Sequence, residues 1–270
     1  MDEEPLKVPI AATIVAAYHS VFGRLGLFLE LAWLPLLFLL AISLIPAALP
    51  ADFAGDDDRL KALPGLVELL TGGLCLNAFA VRWHQVALYG GKAFLAGKAW
   101  LGPWGRFVAY TVAIYAAIGG VAVVLLLVTS SATDEEVSAA TIVMPAIALA
   151  VSLPIWLGIT RLSLVFPAAA AERPLRLGAA WRAMRGNTWR LVIAFFLACA
   201  PVALAALLAM AGAFAALGYA VGSAALESPP LGLYILRGLA DTVANFLIVA
   251  LGASVLVEFY KQLVLAPLES

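Results

Sequence analysis

Long apolar runs separated by short polar ones organise this chain. Six of them, residues 25–49, 63–81, 107–128, 141–165, 189–213 and 231–259, approach or exceed the roughly 20 residues a helix needs to cross a bilayer core. The pattern predicts an all-α fold, a polytopic transmembrane helical bundle of six spans forming one integral membrane domain over residues 1–270. Shorter apolar stretches precede three of the spans. In residues 8–24, Ile10, Ile14, Ala17, Val21 and Arg24 recur at helical intervals, as expected of an interfacial helix feeding the first span. Phe94, Leu95, Trp100, Leu101 and Trp104 give residues 85–106 the look of a second surface-lying segment. Pro35, Pro145, Pro154 and Pro201 fall inside spans one, four and five, where a missing backbone N–H predicts a kink that neighbouring helices can accommodate. The apolar run after span five continues through Gly218 and Gly222 until Ser228-Pro229-Pro230 stops it.

The polar interruption at residues 161–190 is the most informative. It holds Arg161, Arg173, Arg176, Arg182, Arg185 and Arg190 against the single acid Glu172. Pro174 suits the first turn of a short helix. Leu177, Ala180, Trp181 and Met184 then recur on one face, with Arg182 and Arg185 on the other. Gly186 is the expected stop and Asn187 the expected N-cap of the next helix. Two settings fit such a helix. It lies at the membrane surface with Arg173, Arg176, Trp181, Arg182 and Arg185 toward lipid, or it is a loop helix packed by its Trp face on its neighbours.

Charge distribution sets the orientation. With loops 82–106 and 161–190 and both termini on the cytoplasmic side, thirteen of the 16 Lys/Arg lie inside, and Arg59, Lys61 and Arg237 lie outside. Asp52, Asp56, Asp57, Asp58, Asp134, Glu135, Glu136 and Glu227 fall in the outer loops. The expectation is therefore a multi-pass protein of a bacterial inner (cytoplasmic) membrane, N and C termini inside, with amphipathic interfacial helices on that face. The mean hydropathy of +1.02 and 12% charged residues agree with this class. The acidic start MDEEPLK is unlike a signal-peptide n-region. Nothing in the charge pattern points to nucleic acid.

Few residues look chemical. There is no HExxH, no GxSxG and no phosphate-binding glycine fingerprint, so no enzyme activity and no cofactor is expected. His19 and His84 lack clustered carboxylates, which argues against a metal site. Arg82-Trp83-His84 reads as an interfacial anchor at the end of span two, with His84 its polar tip. Cys75 and Cys199 read as small buried hydrophobes. Glu30, Arg82, Arg161 and Glu258 share one depth near the cytoplasmic ends of four spans. They could pair as an interhelical lock or receive an ion or a headgroup. Arg237, Asp241 and Asn245 form a polar stripe on span six, and Asn245 is placed to bond across helices. Gly218/Gly222 and Ala240/Ala244 offer small-residue packing faces.

A weak threefold repeat is visible in FGRLGLF, WGRFVAY and TWRLVIA, where Arg24, Arg106 and Arg190 each launch a span. The run Arg161-Leu-Ser-Leu-Val-Phe-Pro167, with Ala180-Trp181-Arg182 and Arg185-Gly-Asn-Thr-Trp-Arg190, resembles a family of six-span bacterial inner-membrane proteins. These are similar to the membrane domain attached to some glycerophosphodiester phosphodiesterases. Val81-Arg-Trp-His84 and Val257-Glu-Phe-Tyr260 carry the same resemblance. It implies a scaffold; no stretch of these 270 residues reads as the soluble barrel that performs the hydrolysis. The functional expectation is a non-enzymatic membrane protein whose basic cytoplasmic face meets anionic lipid headgroups or a protein partner, a second copy of the chain included. A small-solute or lipid transporter is the alternative, and a membrane-embedded lipid enzyme stands third. Reporter fusions after Gly55 and Glu136 should behave as periplasmic, and fusions after Lys98 and Arg176 as cytoplasmic. A cytoplasmic signal at Gly55 would reverse the orientation.

Overall fold

The computed structural model describes residues 6–45, 58–90, 101–130, 150, 152–216 and 231–269, and its regular elements are all helical. They are α1 (Ile10–Phe22), α2 (Leu25–Ser43), α3 (Asp58–Tyr89), α4 (Leu101–Ser130), α5 (residues 152–162), α6 (Val165–Ala170), α7 (Leu177–Ala183), α8 (Thr188–Ala216) and α9 (Leu231–Tyr260). A five-residue π-helical segment, Lys261–Leu265, and a last turn, Ala266–Glu269, complete the chain.

Among the described residues, five segments are long and apolar enough to cross a membrane: Leu25–Ile42, Gly65–Tyr89, Ser152–Ala170, Thr188–Ala216 and Ile235–Leu265. The expected third span, 107–128, lies inside the 30-residue α4. The acidic stretch 50–62, expected among the outer loops, is helical from Asp58 onward. Its earlier residues lie outside the described ones, as do the 134–136 acids, most of the 91–106 segment, Gly218, Gly222 and Ser228-Pro229-Pro230.

α9 is the hub. It packs on α8, α1, α3, α2 and α6, while α3 also meets α2, α4 and α6. Burial concentrates at one end of the bundle, where Phe79, Trp83, Val86, Leu164, Ala168, Ala180, Met184, Ala250, Leu251, Val255, Phe259 and Tyr260 form one core. Small residues let the helices approach there. A Cβ built on Gly252 of α9 would stand 2.4 Å from Phe195 Cε2 of α8, closer than two carbons can sit. The other halves of α2, α3 and α8 turn Trp33, Leu37, Phe38, Leu69, Leu70, Leu204, Leu207 and Leu208 outward. That is the surface lipid contacts in a membrane protein.

Several expectations are corrected. Residues 165–170, read as part of a cytoplasmic loop, are helical, with Val165, Pro167, Ala168, Ala169 and Ala170 buried. Four consecutive alanines present little bulk, so this turn of helix inserts between α3, α4 and α9. Span two does not stop at Val81. Its helix runs on to Tyr89, with Trp83 fully buried and His84 2% exposed, so neither is an interfacial anchor. The indole N–H of Trp83 instead donates to Ser254 Oγ of α9 (3.0 Å). His84 Nδ1–H donates to the Ala80 carbonyl one turn back (2.7 Å). Those partners satisfy the indole N–H and one imidazole nitrogen inside the protein.

The three repeat arginines do three different things. Arg24 sits at the α1–α2 joint and donates from Nη1 to the Val86 carbonyl (3.1 Å). Arg106 is exposed within α4, and Arg190 reaches the N-terminal segment. Gly252→Val should lower the melting temperature in detergent, by about 1–3 kcal/mol of stability as in other overpacked cores. A second change, Phe195→Leu, should recover part of the loss. Gly212→Val, where nothing lies within 4 Å of the added Cβ, is the control expected to cost far less.

Candidate functional site

The basic residues of 161–190 sit on a short scaffold tied to the rest of the fold. After α6 the chain turns at Glu172, the one non-glycine residue with positive φ (57°) among those described. It then passes through an extended segment into the seven-residue α7. Gly186, at φ 77°, ends this turn as its sequence predicts, because a side chain is disfavoured in the left-handed region. Arg173, Arg176, Arg182 and Arg185 are all exposed. The apolar stripe divides: Ala180 and Met184 are fully buried, whereas Leu177 (54%) and Trp181 (43%) remain largely exposed.

Trp181 is not free of the protein. The Arg161 guanidinium lies over its ring at 4.7 Å, and Gly158 of α5 faces its edge. Arg161 Nε also donates to Thr188 Oγ1 at the start of α8 (3.1 Å). Arg161 therefore ties α5, α7 and α8 together, with an arginine–tryptophan contact of about 0.5–2 kcal/mol among its ties.

Asn187 departs from its expected role. Its carbonyl accepts from Leu191 N–H as a helix-start residue does, but its side chain turns to the N-terminal segment. Oδ1 accepts from the Val8 N–H (3.0 Å), and Nδ2 donates to the Leu6 carbonyl (2.7 Å). Arg190 Nε adds a bond to the Val8 carbonyl (2.8 Å). An amide side chain can satisfy a backbone donor and a backbone acceptor at once, and here it pins the segment ahead of α1. No spacing in the sequence signals this pairing across 179 residues.

The proposed ion-pair residues have the following surroundings. Glu258 accepts from Lys261 Nζ at 2.8 Å, and Arg161 is engaged as described. Glu30 is exposed and Arg82 half-buried, and both make further interactions. Arg237 and Asp241 form an exposed ion pair at 3.6 Å, and Asn245 is also exposed. The stripe thus lies on an outward face of α9 rather than between helices. Ala240 and Ala244 are half-buried, Cys75 is half-buried and Cys199 is buried.

No sequence pattern marks the polar side chains that fasten the same end. Gln85 Nε2 donates to the Ala170 carbonyl (3.2 Å) and Tyr89 Oη to the Ala171 carbonyl (3.3 Å), joining α3 to α6. Tyr18 of α1 donates to the Ala198 carbonyl (2.9 Å) near Pro201. Burial pushes its phenol above the usual range, with Cys199 adding to the shift. His84 Nε2 and Gln85 Oε1 are buried with no hydrogen-bond partner among the described residues. No group of three or more His, Cys, Asp or Glu among the described residues could hold a metal ion.

No protein family, no curated protein and no solved structure matches this chain. Asn187→Ala should release the N-terminal segment. It leaves the Val8 N–H and the Leu6 carbonyl without protein partners, at a cost of about 1–3 kcal/mol for each group that stays buried. Hydrogen exchange at the Val8 amide should speed up with little change in the α9 core, and unchanged protection would refute the clamp.

Proposed function

We propose that this chain is a non-enzymatic integral membrane protein that acts through its basic face on anionic lipid headgroups. The observation that carries the reading is the joint exposure of four arginines and two large apolar side chains on one short, braced segment. Arg173, Arg176, Arg182 and Arg185 point away from the core, with Leu177 and Trp181 exposed beside them. A segment lying at the headgroup boundary needs that combination. Each Lys/Arg near an anionic surface adds about 1 kcal/mol of attraction within a Debye length. In this reading the bundle has six spans, α4 supplying the one beyond the five apolar segments. The basic end faces the cytoplasm of a bacterial inner membrane. The Arg161–Trp181 contact supports a helix held at a fixed tilt, with Trp181 partly covered by α5 and partly available to lipid.

Trp181 is the probe. In a variant where the other six tryptophans are replaced, its emission should move to the blue in anionic bilayers relative to zwitterionic ones. Raising the salt should reverse the move. An emission spectrum indifferent to both lipid charge and salt means that Trp181 meets only protein, and the lipid reading of this face fails.

A further inference from the structure

A second feature at the same end is a groove between α1 and the junction of α9 with the π-helical segment. Its volume is about 610 Å³, within the roughly 300–1,000 Å³ usual for ligand sites. One wall is apolar and low in bulk, made by Ala12, Val15 and Ala16 of α1. The polar end gathers Ser20, Arg24, Glu258 and Lys261.

Three observations give this groove a chemistry. The first is charge. Two basic side chains, Arg24 and Lys261, stand against one acid, Glu258, which Lys261 already holds at 2.8 Å. Arg24 directs Nη1 to the Val86 carbonyl, which leaves the remaining N–H donors of its guanidinium for another acceptor. The second is Ser20, whose Oγ is buried with no hydrogen-bond partner among the described residues. A buried hydroxyl in that state calls for an acceptor or donor that the described residues do not supply. The third is the π-helical turn Lys261–Leu265, which carries Lys261 into the groove. Such turns recur at functional sites.

We infer that this groove binds one anionic phospholipid. The phosphate accepts from Arg24, Lys261 and Ser20, and the glycerol and first acyl carbons run along Ala12, Val15 and Ala16. The site is distinct from the α7 arginines but rests on the same reading of this end as the one in contact with anionic headgroups.

The test is native mass spectrometry of the full-length protein in detergent, titrated with phosphatidylglycerol, phosphatidylethanolamine or glycerol 3-phosphate. Phosphatidylglycerol should bind more tightly than phosphatidylethanolamine, and glycerol 3-phosphate at equal concentration should not displace it. Ser20→Ala removes an unpaired hydroxyl without opening a cavity, so its melting should match the parent while phosphatidylglycerol binding weakens about tenfold. Lys261→Gln should weaken it comparably, and Glu258→Gln should tighten it by removing the repelling charge. Displacement by glycerol 3-phosphate would assign the groove to a free phosphate ester and overturn the lipid. Parental affinity in both Ser20→Ala and Lys261→Gln would overturn the groove. If binding is then lost when Arg173, Arg176, Arg182 and Arg185 are all changed to Gln, the α7 reading survives alone. Loss in the groove variants with parental binding in the four-arginine variant retains the groove and removes α7 as the lipid contact.

Discussion

The bond from Trp83 to Ser254 is the constraint around which the rest of the bundle is arranged. An indole N–H in an apolar interior is costly unless it finds an acceptor, and the acceptor here is a serine on the hub helix. Ser254 in turn donates to the Ala250 carbonyl one turn earlier (2.8 Å), so its own proton is also satisfied. With α3 and α9 fixed at that depth, Phe28 and Phe79 close around the Trp83 ring at centroid distances of 5.9 and 6.0 Å. Phe246 meets Phe79 edge-on at 4.8 Å. Three helices are thus registered by one hydrogen bond and a group of four rings.

Around this centre the polar groups act mainly as fasteners. Arg24 holds the α1–α2 joint to the end of α3, Gln85 and Tyr89 hold α6, and Asn187 with Arg190 holds the segment before α1. Most use a side chain on one element to satisfy a backbone carbonyl on another. That economy suits a bundle in lipid, where a carbonyl freed at a helix end or beside a proline has no water to turn to.

Apolar segments reveal themselves through composition, so α2, α3, α8 and α9 were legible in the chain, as was the stop at Gly186. Helix ends were less legible. Arg82-Trp83-His84 has the composition of an interfacial anchor, yet its tryptophan and histidine lie in the core. Their partners, Ser254 and the Ala80 carbonyl, are matters of register and rotamer that composition does not encode. The alanines after Pro167 misled in the opposite sense, since a run with so little bulk looks like a linker until something close-packed surrounds it. The exposed arginines of the 173–185 segment were readable because hydration drives such charges outward whatever the fold. The tie from Arg161 to Trp181 and Thr188 was not readable, because it depends on how α5 meets α8.

The concentration of buried side chains at one end has a mechanical consequence. Helices fastened mainly near one end behave as cantilevers, and the spacing of the helices away from it is set by the angles at which they leave the fastening. A methyl-sized change at Gly252 or Ala250 alters such an angle slightly, and the length of the helix magnifies it at the opposite face. Geometry away from the fastened end is therefore governed by residues that never reach it.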